Sequence, residues 1–165
     1  YKPKYGGLGC SLSHLTALKY AKNNNFTNVL ICEDDFVLYP EYKNNVSEIV
    51  NNAIRSVPDY DVIMFASNTK TKSKYNEYVD KIIDAQTRTA YLVNEKFYDT
   101  LLLNYKECVK LQKKYGPAMY DMGHAGDQYW KKLQPLSEWY VLKNKIGYQI
   151  KSYSDIQKKI VDYKV

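Results

Sequence analysis

Three consecutive acids, Glu33-Asp34-Asp35, follow directly on the apolar run Val29-Leu30-Ile31-Cys32. Carboxylates this close repel. One like-charge pair 4 Å apart costs roughly 4 kcal/mol at an effective dielectric of about 20. A positive partner must offset that repulsion, and a divalent cation is the simplest one. In an extended chain, residues two apart share a face. Glu33 and Asp35 would then converge on one ion, with Asp34 turned elsewhere. The preceding run is short and does not alternate. It predicts a central strand buried on both faces of a mostly parallel sheet. Open α/β sheets bind ligands beyond the carboxyl ends of such strands, although acids also follow strands simply because loops are solvated.

Other segments could carry chemistry. Asp121-Met122-Gly123-His124-Ala125-Gly126-Asp127 sets two carboxylates and an imidazole in a loop with glycines that permit close approach to a ligand. Asp127 reads either as a helix N-cap or as a general base or substrate-hydroxyl ligand. His124 reads as a metal ligand or as an ordinary loop histidine. Ser13-His14 stands at the expected start of a helix after a glycine-rich approach. Such a helix end can receive an anion such as a diphosphate, or Ser13 can simply cap it. Ser152 to Asp155 alone reads as a turn. There is no P-loop, G-x-G-x-x-G, G-x-S-x-G or H-E-x-x-H pattern. Metal-assisted group transfer needs none of these.

The elements that must hold these residues are legible as alternating helix and strand patterns. A helix is expected from Ser11 to about Asn23, with Leu12, Leu15, Leu18 and Ala21 on one face. A strand follows at 28–32, and a second helix is opened by Pro40 and carries Val46, Ile49, Val50, Ala53 and Ile54. A buried strand is expected at 60–66, a mobile polar loop at 67–78, and short strands at 81–85 and 89–93. Asn94 caps a long helix that ends at Gly116-Pro117. A short helix starts at Asp127, and strands are expected at 139–142 and 148–151. This order predicts one α/β or α+β domain over residues 1–165.

Bulk composition narrows the field. With 165 residues and 45% hydrophobic content, the chain is long enough for one domain with a real core. The net charge is +6, but lysine outnumbers arginine 22 to 2. Arginine is the residue that forks onto phosphate and guanine, so nucleic acid is not the expected partner. A non-catalytic module that stacks glycans or bases on its 18 tyrosines is the alternative reading. Three cysteines without a Cys-x-x-Cys pair argue against a disulfide framework and favour a reducing, intracellular compartment. No apolar stretch is long enough to span a membrane.

Several segments, taken in order, resemble glycosyltransferase family 25, which includes bacterial lipooligosaccharide glycosyltransferases and collagen galactosyltransferases. Gly9-Cys10-Ser11-Leu12-Ser13-His14 is similar to the family's G-C-x-x-S-H opening, and Leu30 to Asp35 to its hydrophobic-E-D-D motif. Thr89-Ala90-Tyr91-Leu92-Val93 resembles its T-x-A-Y strand. Gly126-Asp127-Gln128-Tyr129-Trp130 stands where a D-x-x-(W/L) element is found, and Tyr148-Gln149 with Ser152 to Ile156 resembles its closing Q…S-D-I. A proline common before that last element is replaced by Ile146-Gly147. The strand and helix that usually precede G-C-x-x-S-H are not in this sequence, so the resemblance predicts an incomplete domain. It implies a GT-A-like, Rossmann-like mixed sheet flanked by helices. It further implies a UDP-sugar donor, Mn²⁺ or Mg²⁺, and inverting transfer of a hexose to a hydroxyl of a collagen-like protein or a surface glycan. Asp35 would bind the metal directly, Glu33 would assist through the metal or the donor ribose, and Asp34 would orient the site. Ser13 and His14 would line the donor site. Asp127, or failing it Asp121, would be the base that takes the acceptor's proton.

Overall fold

The computed structural model describes residues 6–116, 123–154, 159–162 and 165. Two strands form the backbone of the fold. β3 (Val62–Lys74) and β4 (Val79–Asn94) make a long antiparallel hairpin. β1 (Asn28–Cys32) adds antiparallel to the far side of β4, and β5 (Trp139–Leu142) adds parallel to β3. The order is β1-β4-β3-β5, a mixed sheet. Register shifts at Met64/Ala66, Ala66/Asn68 and Thr69/Thr71 interrupt the hairpin. Bulges of this kind increase twist. Consistent with that, the near end of β4 pairs with β5 as well, Val79 opposite Leu142.

Period-two alternation divides the buried residues between the two faces. Val62, Met64, Tyr91, Val93, Trp139 and Val141 look one way, onto α1 (Gly6–Asn23) and α3 (Tyr98–Tyr115). Ile63, Phe65, Ala90, Leu92, Tyr140 and Leu142 look the other way, onto α2 (Val46–Ser56). Both faces are covered, as a three-layer α/β arrangement requires. α3 is introduced by Asn94, whose Oδ1 accepts from Lys96 N at 3.2 Å, and is terminated by Gly116 at φ +57°. Short elements complete the described chain. They are β2 (Phe36–Leu38) paired with β6 (Gly147–Gln149), α4 (Gly126–Tyr129), and β7 (Ser152–Ser154) paired with β8 (Lys159–Val161).

Three expectations are corrected. β1 is an edge strand with an antiparallel neighbour, not a central parallel strand. Of its residues only Ile31 is buried, and Leu30 is 47% exposed. A continuous apolar run does not reveal how many neighbours a strand has. Residues 67–74 are strand rather than mobile loop, because backbone pairing with β4 orders them although most of their side chains face solvent. Finally, α1 begins by Gly6, five residues before the expected start at Ser11. Packing of α1 on α3 overrides the low helix propensity of its glycines.

Candidate active site

The sheet brings several segments around one cleft of about 1230 Å³, lined among others by Cys10, His14, Glu33, Asp35, Arg88 and Asp127. The acid triplet sits at its centre, where the chain leaves β1. Here the strand stops: Phe36 N donates to Glu33 O at 3.2 Å, closing a turn over residues 33–36. The premise that Glu33 and Asp35 share a face of an extended chain therefore fails. A turn has no two-residue alternation, and the two carboxylates take different partners. Asp34 is exposed.

Glu33 turns toward α1. Its Oε1 lies 3.2 Å from His14 Nε2 and accepts from the Cys10 thiol at 3.4 Å. His14 Nδ1 lies 2.7 Å from Tyr91 Oη, which lies 2.7 Å from Tyr105 Oη. Burial, reinforced by the Arg88 charge, holds the His14 pKa below its usual value. The His14–Glu33 contact is therefore a hydrogen bond from a neutral ring at neutral pH. Burial pushes the Cys10 thiol up to about 11, against the pull of Arg88.

Asp35 turns the other way. Gln149 Nε2 donates to its Oδ2 at 2.8 Å, and Thr89 Oγ1 donates to Gln149 Oε1 at 3.2 Å. The backbone is pinned as well, with Ile150 N donating to Asp35 O at 3.0 Å and Glu33 N to Thr89 O at 2.8 Å. Asp35 Oδ1 is buried and, among the described residues, has no hydrogen-bond partner. Desolvation raises the Asp35 pKa, the Gln149 bond opposes it, and the charges of Glu33 and Asp34 add to the rise. A carboxylate held partly out of water with an empty lone-pair direction fits a metal ion. Glu33, engaged with His14 and Cys10, fits the same ion less well.

Arg88 closes the floor. It is 5% exposed, and its Nη2 donates to Cys10 Sγ at 3.2 Å and to Ser11 Oγ at 3.4 Å. The guanidinium lies 5.7 Å from the centre of the Tyr105 ring. A Cβ on Gly126 would come within 2.3 Å of Arg88 Cζ and Nη1, so only glycine fits beside it. Asp127, next in the chain, is inside α4 rather than its N-cap. Its Oδ2 accepts instead from Thr87 N at 3.1 Å, which holds a β-branched residue at φ +69°. That conformation is strained, and such strain gathers at functional sites.

Two expected features are placed elsewhere. Ser13 lines the cleft but lies inside α1, where its Oγ donates back to Gly9 O at 3.1 Å. Neither Ser13 nor His14 is at a helix N-terminus, so neither has free helix-end amides for an anion. His124 packs its ring against Tyr115 and Tyr129, and among the described residues its carbonyl accepts from Gln112 Nε2 at 2.9 Å and from Cys108 Sγ at 3.4 Å. It is a loop histidine rather than a ligand of this cleft. Asp121 and Asp155 lie outside the described residues.

Arg88 and Gln112 were not singled out by sequence, and Gln149 entered only as part of the closing Q…S-D-I element, with no role assigned to it. One signal pointed to Arg88: it is one of two arginines in a chain with 22 lysines. A guanidinium retained against that bias suggests a position where an ammonium will not do.

The segments that the resemblance picked out separately meet here. Cys10 and His14 reach Glu33, Tyr91 reaches His14, Thr89 reaches Asp35 through Gln149, and Gly126 packs on Arg88. No curated protein matches the chain. Residues 5–115, more than half of the sequence, match the family model of glycosyltransferase family 25 (LPS biosynthesis protein), and the chain belongs to that family.

Proposed function

We propose that this glycosyltransferase domain transfers a hexose from a UDP-sugar to an acceptor hydroxyl, with a divalent cation held at Asp35. Membership of the family supports sugar transfer in general. The observation that carries the finer reading is the buried, unpartnered Oδ1 of Asp35 beside a cleft large enough for a nucleotide sugar. Gln149 fixes the other oxygen and so sets the direction in which Oδ1 points. Mn²⁺ or Mg²⁺ takes one or two protein carboxylates and leaves its remaining positions to water and phosphate oxygens. Such an ion would supply positive charge for the leaving diphosphate.

The remaining work falls to the chain. Asp127 is held by Thr87 N and Gln128 Nε2, beside the strained backbone of Thr87 in β4, on the same cleft. It is the residue proposed to take the proton of the acceptor hydroxyl in a single inverting displacement. The acceptor is a hydroxyl of a surface glycan or of a hydroxylysine in a collagen-like chain. Among the described residues no helix is long and apolar enough to cross a membrane.

Thermal unfolding with Mn²⁺ and UDP-glucose, UDP-galactose and other donors in parallel tests this reading. A donor at a hundredfold excess over its Kd stabilises by about 2.7 kcal/mol. That corresponds to roughly 5–11 °C for a chain of this size. A melting temperature unmoved by every Mn²⁺–donor pair contradicts the proposal.

A further inference from the structure

The geometry points to a second, softer metal site, formed by Cys10 Sγ, His14 Nε2 and Glu33 Oε1, with the donor set of a zinc-class ion. Among the described residues these are the three metal-capable side chains whose ligand atoms lie within 4.8 Å of one another. Two of the edges are known closely, 3.4 Å from sulfur to oxygen and 3.2 Å from nitrogen to oxygen. Tetrahedral Zn²⁺, with Zn–S about 2.3 Å, Zn–N about 2.0–2.1 Å and Zn–O about 2.0–2.2 Å, requires corresponding edges of roughly 3.5 and 3.3 Å. Along those two edges an ion could enter with little movement of the side chains, and the sulfur–nitrogen edge, which lies within 4.8 Å, needs roughly 3.6 Å.

The surroundings match such a site. Metal-bound histidines anchor their second nitrogen, and His14 Nδ1 is already on Tyr91 Oη, itself braced by Tyr105. Arg88 Nη2 points at Cys10 Sγ from 3.2 Å, where it can stabilise a thiolate without occupying a ligand position. The thiolate and the carboxylate together balance a 2+ charge. Three protein ligands leave a fourth position, and all three residues line the cleft. The site joins the start of α1 to the end of β1, so an ion there would clamp the turn that carries Asp35. On binding, the Cys10 thiol releases its proton to solvent and His14 carries its proton on Nδ1, toward Tyr91.

Co²⁺ added to the full chain tests this directly, without reference to sugar transfer. The expected result is a thiolate-to-cobalt charge-transfer band in the near ultraviolet that corresponds to one equivalent of Co²⁺, apart from any ion taken at Asp35, with the visible bands of four-coordinate cobalt. Zn²⁺ should displace both. Cys10→Ser should abolish the charge-transfer band, whereas Cys32→Ser, whose thiol is exposed at the end of β1, should retain it. Tyr91→Phe, which removes only the anchoring hydroxyl, should weaken affinity about tenfold or more. The wild-type titration is decisive even where a variant fails to fold, because absence of the charge-transfer band there overturns the site. Survival of the band in Cys10→Ser overturns it equally. Loss of Mn²⁺–donor binding with an intact cobalt spectrum would strike the sugar-transfer reading alone.

Discussion

Replacing Gly126 by alanine gives the sharpest test of how the floor of the cleft is built. The new Cβ would lie 2.3 Å from Arg88 Cζ and Nη1 and 2.4 Å from Nη2. Non-bonded heavy atoms settle at about 3.5–4.0 Å, so the guanidinium must withdraw by about 1.2 Å or more. An arginine at a protein surface would do so at little cost. Arg88 cannot, because it is buried against the Tyr105 ring with Nη2 on Cys10 Sγ and Ser11 Oγ. Those bonds are already 3.2 and 3.4 Å long, and the same shift breaks both. Hydrogen bonds to charged groups contribute about 1.5–3 kcal/mol each. One is to sulfur and both are long, so each falls below that range, at about 1 kcal/mol, giving a loss of about 2 kcal/mol for Gly126→Ala. For a chain of this length that is roughly 4–8 °C in Tm, read by circular dichroism during heating. Repeating Gly126→Ala in an Arg88→Met background removes the obstacle, and the penalty should fall by more than half. A loss under about 0.5 kcal/mol in the wild type, or an equal loss in both backgrounds, refutes the packing argument.

Other consequences can be checked alongside. Asp35→Asn should leave Tm unchanged or slightly raised, because it removes a charge whose own burial disfavours it, while the Mn²⁺–donor shift disappears. Gly147→Ala would place a Cβ 2.5 Å from the Val37 carbonyl oxygen and the Phe36 ring. A backbone oxygen cannot step aside, so a loss of about 1–3 kcal/mol is expected by thermal unfolding, with weaker Mn²⁺ binding as Gln149 is displaced from Asp35. Asp80 contacts Lys72 at 2.8 Å and Lys143 at 3.6 Å. Burial works to raise its pKa, but the two lysines prevail and hold it below the ordinary 3.8. Because the folded-state pKa is the lower one, the stabilisation is present above pH 3.8 and fades as pH falls below it. Wild type and Asp80→Asn should therefore differ in denaturant midpoint at neutral pH and converge in acid.

The unbroken apolar run Val62 to Phe65 was enough to mark a buried strand, because helices cover both of its faces. The polar arm of the hairpin escaped notice because residues 67–74 gain order from backbone pairing rather than from a buried face. The edge position of β1 was illegible for a related reason: neighbours across a sheet are set by topology, not by the strand's own composition. At the site, the acids were visible as charges but their directions were not. Direction followed from the turn closed by Phe36 N and from partners distant in sequence, Cys10 and His14 for Glu33 and Gln149 for Asp35. Arg88 is the largest omission. Its role depends on Gly126, 38 residues along the chain, and no local pattern links the two.

The central claim is that the 33–36 turn aims Asp35 at a cation that serves a sugar-nucleotide donor. Release of UDP from UDP-sugars in the presence of Mn²⁺ measures this most directly, comparing the wild-type protein with Asp35→Ala and Asp35→Asn. The account predicts metal-dependent release by the wild type and a loss of about a hundredfold or more in both variants, equivalent to about 2.7 kcal/mol or more of transition-state stabilisation. Asp35→Asn should keep at least the wild-type melting temperature without ligand, so its loss of turnover is not a loss of fold. Turnover that persists in Asp35→Ala, or turnover in the wild type that does not depend on the metal, would contradict it.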